Sequence, residues 1–95
     1  MNSAGDVPGD RLPPGYVAPV KRGLARAAAA VVATIADEVL MTQSELARRT
    51  GIPQPPISRA FAGRRVFTLD ELDGVCQALG VDVAAVVHDA DLSRR

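Results

Sequence analysis

The segment from Thr42 to Gly63, TQSELARRTGIPQPPISRAFAG, constrains the fold more than any other part of the chain. Thr42 and Glu45 have the spacing of a capping box, in which each side chain bonds the backbone N–H of the other residue, so we expect a helix to start there. Gly51 stands where a left-handed residue is needed to end that helix. A second helix is expected to begin around Pro53, because proline is tolerated in a first turn. The segment therefore predicts two short helices joined by a tight glycine turn.

The corner between these two helices leaves little room for side chains. Ala47 is small, and Gly51 accepts an unusual backbone conformation, so both residues suit the corner. The apolar residues expected to fill the wedge between the helices are Leu46, Ile52, Ile57 and Phe61. Their replacement is expected to unfold the protein rather than to alter a binding preference.

An alanine-rich stretch before this segment predicts a long amphipathic helix from about Val20 to Leu40. Apolar residues recur in it at helical spacing. The face predicted to enter the core consists of Leu24, Ala28, Val31, Ile35 and Val39.

Two further helices are predicted after the segment. Thr68 and Glu71 form a second capping box. The inward face of the helix that it opens is expected to contain Leu69, Leu72, Val75, Cys76 and Leu79, with Gly80 at its end. Asp82 is expected to cap a last helix, which contains Val83, Val86 and Val87.

Length and composition favour one small all-α domain. The chain has 95 residues, of which 47% are apolar but only 3% aromatic, so its core must come from aliphatic side chains that suit packed helices. We expect a compact domain of five helices over residues 20–92, with the two-helix motif at 42–63. Residues 1–19 are rich in proline and glycine and are expected to form a flexible N-terminal segment.

The chain is poor in the residues that enzymes and metal sites need. Cys76 is the single cysteine and His88 the single histidine, so neither a disulfide framework nor a zinc cluster can form within the chain. No serine lies beside a plausible base. The N-terminus lacks a signal-peptide pattern, and the most apolar tract, 27–36, is too short to span a bilayer. We therefore expect a cytoplasmic protein that is not an enzyme and uses no metal or cofactor.

The net charge of zero hides a strong asymmetry along the chain. Residues 21–65 contain eight basic and three acidic residues, a net charge of +5, whereas residues 66–95 contain two basic and six acidic residues, a net charge of −4. This polarity suits a protein whose basic part meets a polyanion. Solvated helix faces are the alternative explanation.

The segment from Met41 to Val87 resembles the Cro/CI-type (Xre) helix-turn-helix domain of phage repressors and bacterial regulators. The matching features are TQ-x-E-L-A, T-G-I, I-S-R, G-R-R, T-L-x-x-L and ALGV, without an internal gap. The joint pattern is more specific than a single helix-turn-helix string. The resemblance implies a lambda-repressor-like fold whose third helix enters the major groove of double-stranded DNA.

The resemblance also implies which residues face the bases. Gln54, Pro55, Ser58 and Arg59 occupy the base-readout positions of the third helix. Gln54 has the geometry to pair with adenine and Arg59 with guanine, while Pro55 offers only an apolar contact. Without the motif, simpler explanations would be favoured, namely an exposed first-turn residue for Gln54 and an ion pair for Arg59. Pro55 and its neighbour Pro56 depart from the small polar residues that are usual in the family.

Phosphate contacts are implied at three positions. Gln43 lies at the start of the second helix, where backbone amides favour an anion. Arg64 and Arg65 lie in the loop that in this family runs beside the DNA backbone. On its own, such an arginine pair is more often only solvated.

The function expected from these features is a transcriptional regulator, most simply a repressor that occupies a double-stranded DNA operator. A homodimer is expected, because one recognition helix covers few base pairs, and the last helix offers Val83, Val86, Val87 and Leu92 as apolar surface. The alternative is an antitoxin that binds both a toxin protein and its own promoter. A helical adaptor without DNA binding is a third possibility, and an antirepressor is a further possible protein partner.

Overall fold

Residues 23–94 form five helices and no strand in the computed structural model, which describes this part of the chain. The segment predicted over residues 1–19 and the predicted start of the first helix lie outside the described residues. The all-α prediction is confirmed. The helices, in chain order, are α1 (Leu24–Glu38), α2 (Gln43–Thr50), α3 (Gln54–Phe61), α4 (Leu69–Leu79) and α5 (Val83–Ser93). None of these helices is long and apolar enough to cross a membrane.

The turn between α2 and α3 forms as predicted, with Gly51 in the left-handed region at φ 79°. The backbone N–H of Gly51 donates to the carbonyl of Ala47 at 2.9 Å. Thr50 stabilises the same turn, because its hydroxyl donates to the carbonyl of Leu46 and accepts from the backbone N–H of Ile52. The polar groups of this short connection are therefore bonded locally, which holds α2 and α3 close together.

The helix starts agree with the sequence only in part. Thr68 and Glu71 form the complete capping box predicted for α4. At α2, the Thr42 hydroxyl accepts from the Glu45 backbone N–H at 3.1 Å, but the Glu45 carboxylate binds two arginines one turn further along α2. The predicted capping box of α2 is thus only half formed. Asp82 occupies the predicted N-cap position of α5, but its side chain makes no capping hydrogen bond.

The predicted core face of α1 is confirmed in part, because Ala28 is buried and Leu24, Val31 and Ile35 pack against the core. The buried residues of α1 are Ala28, Ala29, Val32 and Ala36. Val31 and Ile35 are only half-buried, and Val39 is 51% exposed. Because α1 packs mainly against α5 and also against α3 and α4, its alanines face the neighbouring helices, where small side chains allow close approach.

The core residues of α2, α3 and α4 lie largely where they were predicted. Leu46, Ile57, Val75 and Cys76 are completely buried. Phe61 is half-buried and meets Phe67 edge to face, with ring centroids 6.1 Å apart. These contacts confirm the apolar wedge behind α3.

Two apolar residues differ from the prediction. Leu69 is 80% exposed, because as the first residue of α4 it lies at the rim of an open apolar pocket that Leu24, Phe67 and Val87 also line. Val86 is 2% exposed and belongs to the core, so it adds nothing to the outer surface of α5 that was predicted for a homodimer. Leu92, at 51% exposure, is the residue of that set that solvent reaches most.

Candidate nucleic-acid interface

The four candidates for base readout share the exposed face of α3. Gln54, Pro55, Ser58 and Arg59 are all exposed, and their spacing places them in two pairs one helical turn apart. The opposite face of α3 carries Ile57 and Ala60, both buried. Packing therefore anchors α3 against the core while its outer face remains accessible. The structure brings the four residues together, and their contacts with bases remain a prediction.

Proline shapes the start of α3. Pro53 precedes the helix, and Pro55 and Pro56 are its second and third residues. Proline lacks a backbone N–H. Among residues 53–56, Gln54 is therefore the only one with a backbone donor, and in a first turn this donor has no intrahelical partner. A helix start of this kind offers little to an anion through its backbone. Any contact that α3 makes at this end must depend on side chains.

Gln54 is hydrogen-bonded to a residue outside the predicted site, Ser44. The hydroxyl of Ser44, the second residue of α2, donates to the Oε1 atom of Gln54 at 3.0 Å. The two residues are ten positions apart in the chain, and the Gly51 turn brings the first turns of their helices together. Within residues 23–94, this is the only hydrogen bond that joins side chains of two different helices. The signal available in the sequence was that Ser44 is a polar residue in the first turn of α2.

The start of α2 retains donors for a phosphate. Gln43 is its first residue and is half-buried. Thr42 satisfies the backbone N–H of Glu45, which leaves those of Gln43 and Ser44 without intrahelical partners, as in any first turn. These donors, with the positive end of the helix dipole, suit a negatively charged group. The phosphate contact of Gln43 itself stays a prediction.

The end of α3 places Arg64 beside Arg59. The backbone N–H of Arg64 donates to the carbonyl of Arg59 at 2.8 Å, and that of Gly63 donates to the carbonyl of Ala60 at 3.1 Å. Gly63 has φ 79°, so the residues form a Schellman motif. This motif fixes the backbone of Arg64 relative to the exposed face of α3.

The adjacent Arg65 has a different environment. Its Nη2 atom donates to Oε1 of Glu71 at 3.0 Å, and its Nη1 atom is buried without a partner among the described residues. The same carboxylate accepts the backbone N–H of Thr68 at 2.9 Å. Arg65 therefore ties the loop after α3 to the start of α4. Its predicted phosphate contact is untested, and that contact has to coexist with the pairing to Glu71.

Ion pairing divides the arginines of this basic segment into two groups. Glu45 accepts from the side chains of Arg48 and Arg49, and these hydrogen bonds, that of Arg48 first, lower the pKa of Glu45 to about 2. The same pairing raises the pKa of Arg48. Arg59 and Arg64 are exposed and have no carboxylate partner among residues 23–94. Arg26, exposed on α1, is likewise without a carboxylate partner among these residues, so the unpaired arginines lie on α1 and at and just after the end of α3.

The remaining candidates for chemistry lie away from this surface. Cys76 is completely buried, and burial, together with Asp73 and Asp82, raises the pKa of its thiol. His88 is exposed on α5. In the part of the chain that the structure describes, no three His, Cys, Asp or Glu side chains are grouped to hold a metal ion.

These observations define a class of protein. Two short helices meet at a tight glycine turn, and the second presents polar side chains, Arg59 among them, on its exposed face, as in a DNA-binding helix-turn-helix domain. The chain belongs to the Cro/CI-type helix-turn-helix family: the helix-turn-helix family model matches residues 33–86, more than half of the chain, from the second half of α1 into α5. No curated protein and no solved structure matches the chain. The family match makes this protein a DNA-binding transcription regulator.

Proposed function

We propose that this protein is a repressor that occupies a specific operator and blocks access of RNA polymerase. The observation that carries the proposal is the pairing of Arg59 and Arg64 at one end of α3. Both are exposed, neither has a carboxylate partner within residues 23–94, and a backbone hydrogen bond joins them. Arg59 is thereby available to a base, and Arg64 is available to the phosphate backbone.

In this proposal α3 lies in the major groove. Arg59 pairs with N7 and O6 of a guanine, and Gln54 pairs with N6 and N7 of an adenine. Pro55 contacts an apolar group such as a thymine methyl, and Ser58 donates to a neighbouring acceptor. Each bidentate pair contributes about 1–3 kcal/mol of discrimination against other bases.

Phosphate contacts set the position of α3 on the duplex. Gln43 and the free amides of the first turn of α2 bind one phosphate, and Arg64 binds another. Arg65 adds to this contact while remaining paired with Glu71. These interactions supply affinity for any sequence, which weakens as the salt concentration rises.

Selection of preferred sequences from random duplexes tests the proposal. With the selected duplex, Arg59→Ala is expected to relax preference at one base position. Arg64→Ala is expected to weaken binding to all duplexes alike and to lower the salt slope by about one. Arg94→Ala is the control, because it removes an arginine that is paired with Asp91 in the acidic part of the chain.

The sign of regulation needs a separate measurement. A reporter whose promoter overlaps the selected duplex should lose expression when the protein is present, and Arg59→Ala should restore it. Increased expression would overturn repression while leaving sequence-specific binding intact. If Arg59→Ala and Arg64→Ala both bind like the unaltered protein, the placement of α3 in the groove is wrong.

A further inference from the structure

The first turns of α2 and α3 are joined by the hydrogen bond from Ser44 Oγ to Gln54 Oε1, 3.0 Å long. Both residues are exposed, so the bond lies on the outer surface of the helix pair rather than in the core. A surface bond of this kind contributes little to folding. Its position is informative because Gln54 belongs to the proposed recognition face.

We propose that Ser44 is a positioning residue, which holds the Gln54 side chain in the conformation that recognises a base. The proposal rests on the proposed function, since it assigns the orientation of one of the residues that contact DNA. Ser44 acts through Gln54 and does not itself determine which base is preferred.

The backbone around Gln54 is already restricted. Pro53 has φ −56°, and Pro55 and Pro56 follow within the first turn of α3. Each proline ring fixes its own φ, so the freedom that remains at this point lies mainly in the glutamine side chain. A free glutamine loses rotamer entropy when it binds, and a partner that holds it beforehand removes part of that cost. Among the described residues, Ser44 is the one whose side chain hydrogen-bonds Gln54 and can hold it in this way.

The bond leaves Gln54 with the donors and acceptor that a base pair requires. The amide oxygen can accept two hydrogen bonds, and Ser44 uses one of these positions. One acceptor position and both N–H donors of Nε2 remain. Adenine presents N6–H as a donor and N7 as an acceptor in the major groove, which matches this remaining pattern. Ser44 therefore orients the amide without blocking it.

Gln43 does not provide the same restraint. It precedes Ser44 in the first turn of α2, and it makes no side-chain hydrogen bond within residues 23–94. The two neighbours thus have separate roles in the proposal: Gln43 contacts a phosphate, and Ser44 orients Gln54. Replacing Ser44 should alter base preference, whereas replacing Gln43 should weaken all duplexes alike.

A double-mutant cycle with Ser44→Ala, Gln54→Ala and the double variant tests the inference. Fluorescence anisotropy would measure binding to the selected duplex and to duplexes altered at the base position that Gln54→Ala relaxes. Ser44→Ala is expected to reduce discrimination at that position alone, by about two- to tenfold, the range of one hydrogen bond. The double variant should discriminate no worse than Gln54→Ala.

Two further variants separate positioning from a structural effect. Ser44→Thr keeps a hydroxyl and is expected to recover most of the discrimination. Ser93→Ala removes a helix serine from α5, whose hydroxyl donates to the Ala90 carbonyl, and should leave DNA binding unchanged. Circular dichroism of each variant would show that the helices are retained.

The outcomes distinguish this inference from the proposed function. Additive effects of Ser44→Ala and Gln54→Ala on a selected duplex overturn the role of Ser44 and leave operator recognition standing. An equal loss for all duplexes also overturns it, because that result assigns Ser44 to the phosphate backbone. If selection recovers no preferred duplex, the proposed function fails, and the inference fails with it.

Discussion

Arg65 and Glu71 are joined by an ion pair of 3.0 Å between Nη2 and Oε1, and this pair links the loop after α3 to the capping box of α4. Glu71 accepts at the same time from the backbone N–H of Thr68. One carboxylate thereby starts a helix and holds an arginine of the proposed DNA surface. The neighbouring Arg64 has no such partner among the described residues, so the two arginines are expected to respond differently to substitution.

Arg65→Ala is expected to destabilise the protein, whereas Arg64→Ala is not. Loss of the partly buried bond to Glu71 should lower the free energy of unfolding by about 1–2 kcal/mol. Arg64 is exposed, and its replacement should change that free energy by about 0.5 kcal/mol or less. Urea denaturation of both variants measures the difference. Equal stability of the two would contradict the structural role of Arg65.

Stability is expected to fall below about pH 4.5, in part through Glu71. The N–H of Thr68, and then Arg65, lower the pKa of Glu71 from its ordinary value of 4.5. A carboxyl group whose pKa is lower in the folded state stabilises that state above its unfolded pKa and loses this effect as the pH falls through the folded pKa. Glu71→Gln should therefore give a shallower loss of stability between pH 5 and pH 3.

Urea unfolding at several pH values would measure this slope. Glu38→Gln is the matched control, because Glu38 is an exposed glutamate at the end of α1 without an ion pair among residues 23–94. Its stability should follow that of the unaltered protein. If Glu71→Gln also follows it, Glu71 does not contribute to the acid sensitivity.

Leu40→Gly is expected to stabilise the protein. Leu40 has φ 59°, is 88% exposed, and occupies the left-handed position of a Schellman motif in which the Met41 N–H bonds the Ala36 carbonyl. A leucine in this conformation is strained, whereas glycine is not. Glycine loses more conformational entropy on folding than leucine does. When this cost is subtracted, the free energy of unfolding should still rise by about 0.5–1 kcal/mol.

Gly80→Ala provides the opposite change at the end of α4. Gly80 has φ 74°, and a Cβ atom there would meet nothing within 4 Å, so only the backbone conformation resists the substitution. It should lower the thermal midpoint, while Leu40→Gly should raise it. A lower midpoint for Leu40→Gly would show that the leucine side chain contributes contacts that outweigh its strain.

Leu92→Asp tests the homodimer that the sequence leads us to expect through α5. Leu92 is half-exposed, so an aspartate there should leave the fold intact and disrupt an interface on this surface. Sedimentation at micromolar concentration, with and without the selected duplex, should show a lower mass than for the unaltered protein. An unchanged mass would exclude an interface centred on Leu92.

Val86→Asp is the contrasting substitution. Val86 is 2% exposed, so an aspartate at this position would place a charge in the core and should unfold the monomer. Loss of helical circular dichroism is the expected result. Retention of the fold would show that the core around α5 is looser than the burial of Val86 indicates.

The two capping boxes show where local sequence was sufficient and where it was not. Thr68 and Glu71 form theirs completely, and no basic side chain on α4 competes for the carboxylate. Glu45 has the same spacing from Thr42, but Arg48 and Arg49 follow one turn later and bind its carboxylate. Glu71 also binds an arginine, but Arg65 precedes α4 and its bond coexists with the capping bond, whereas Arg48 and Arg49 follow Glu45 along α2. The spacing was equal in both cases, and the position of the arginines differed.

The faces of the helices were harder to predict at their ends and where several neighbours meet. The inward positions of α4 from Leu72 onward were correct, while Leu69, at its first position, is exposed. The buried face of α1 is wider than predicted because α1 contacts α3, α4 and α5, so its buried side spans more than one apolar stripe. Periodicity identifies a helix, but the number of packing partners determines how much of it is buried.

The sequence by itself determined the number of helices, the glycine turn at Gly51 and the family, because these depend on interactions between residues a few positions apart. Only the tertiary structure decided which polar groups meet across that turn. Ser44 reaches Gln54 and Arg65 reaches Glu71 once packing has set the helices against one another. The same packing leaves Arg59 and Arg64 without carboxylate partners in the part of the chain that the structure describes. Local spacing carries no information on such pairs, since their geometry depends on how whole helices are placed.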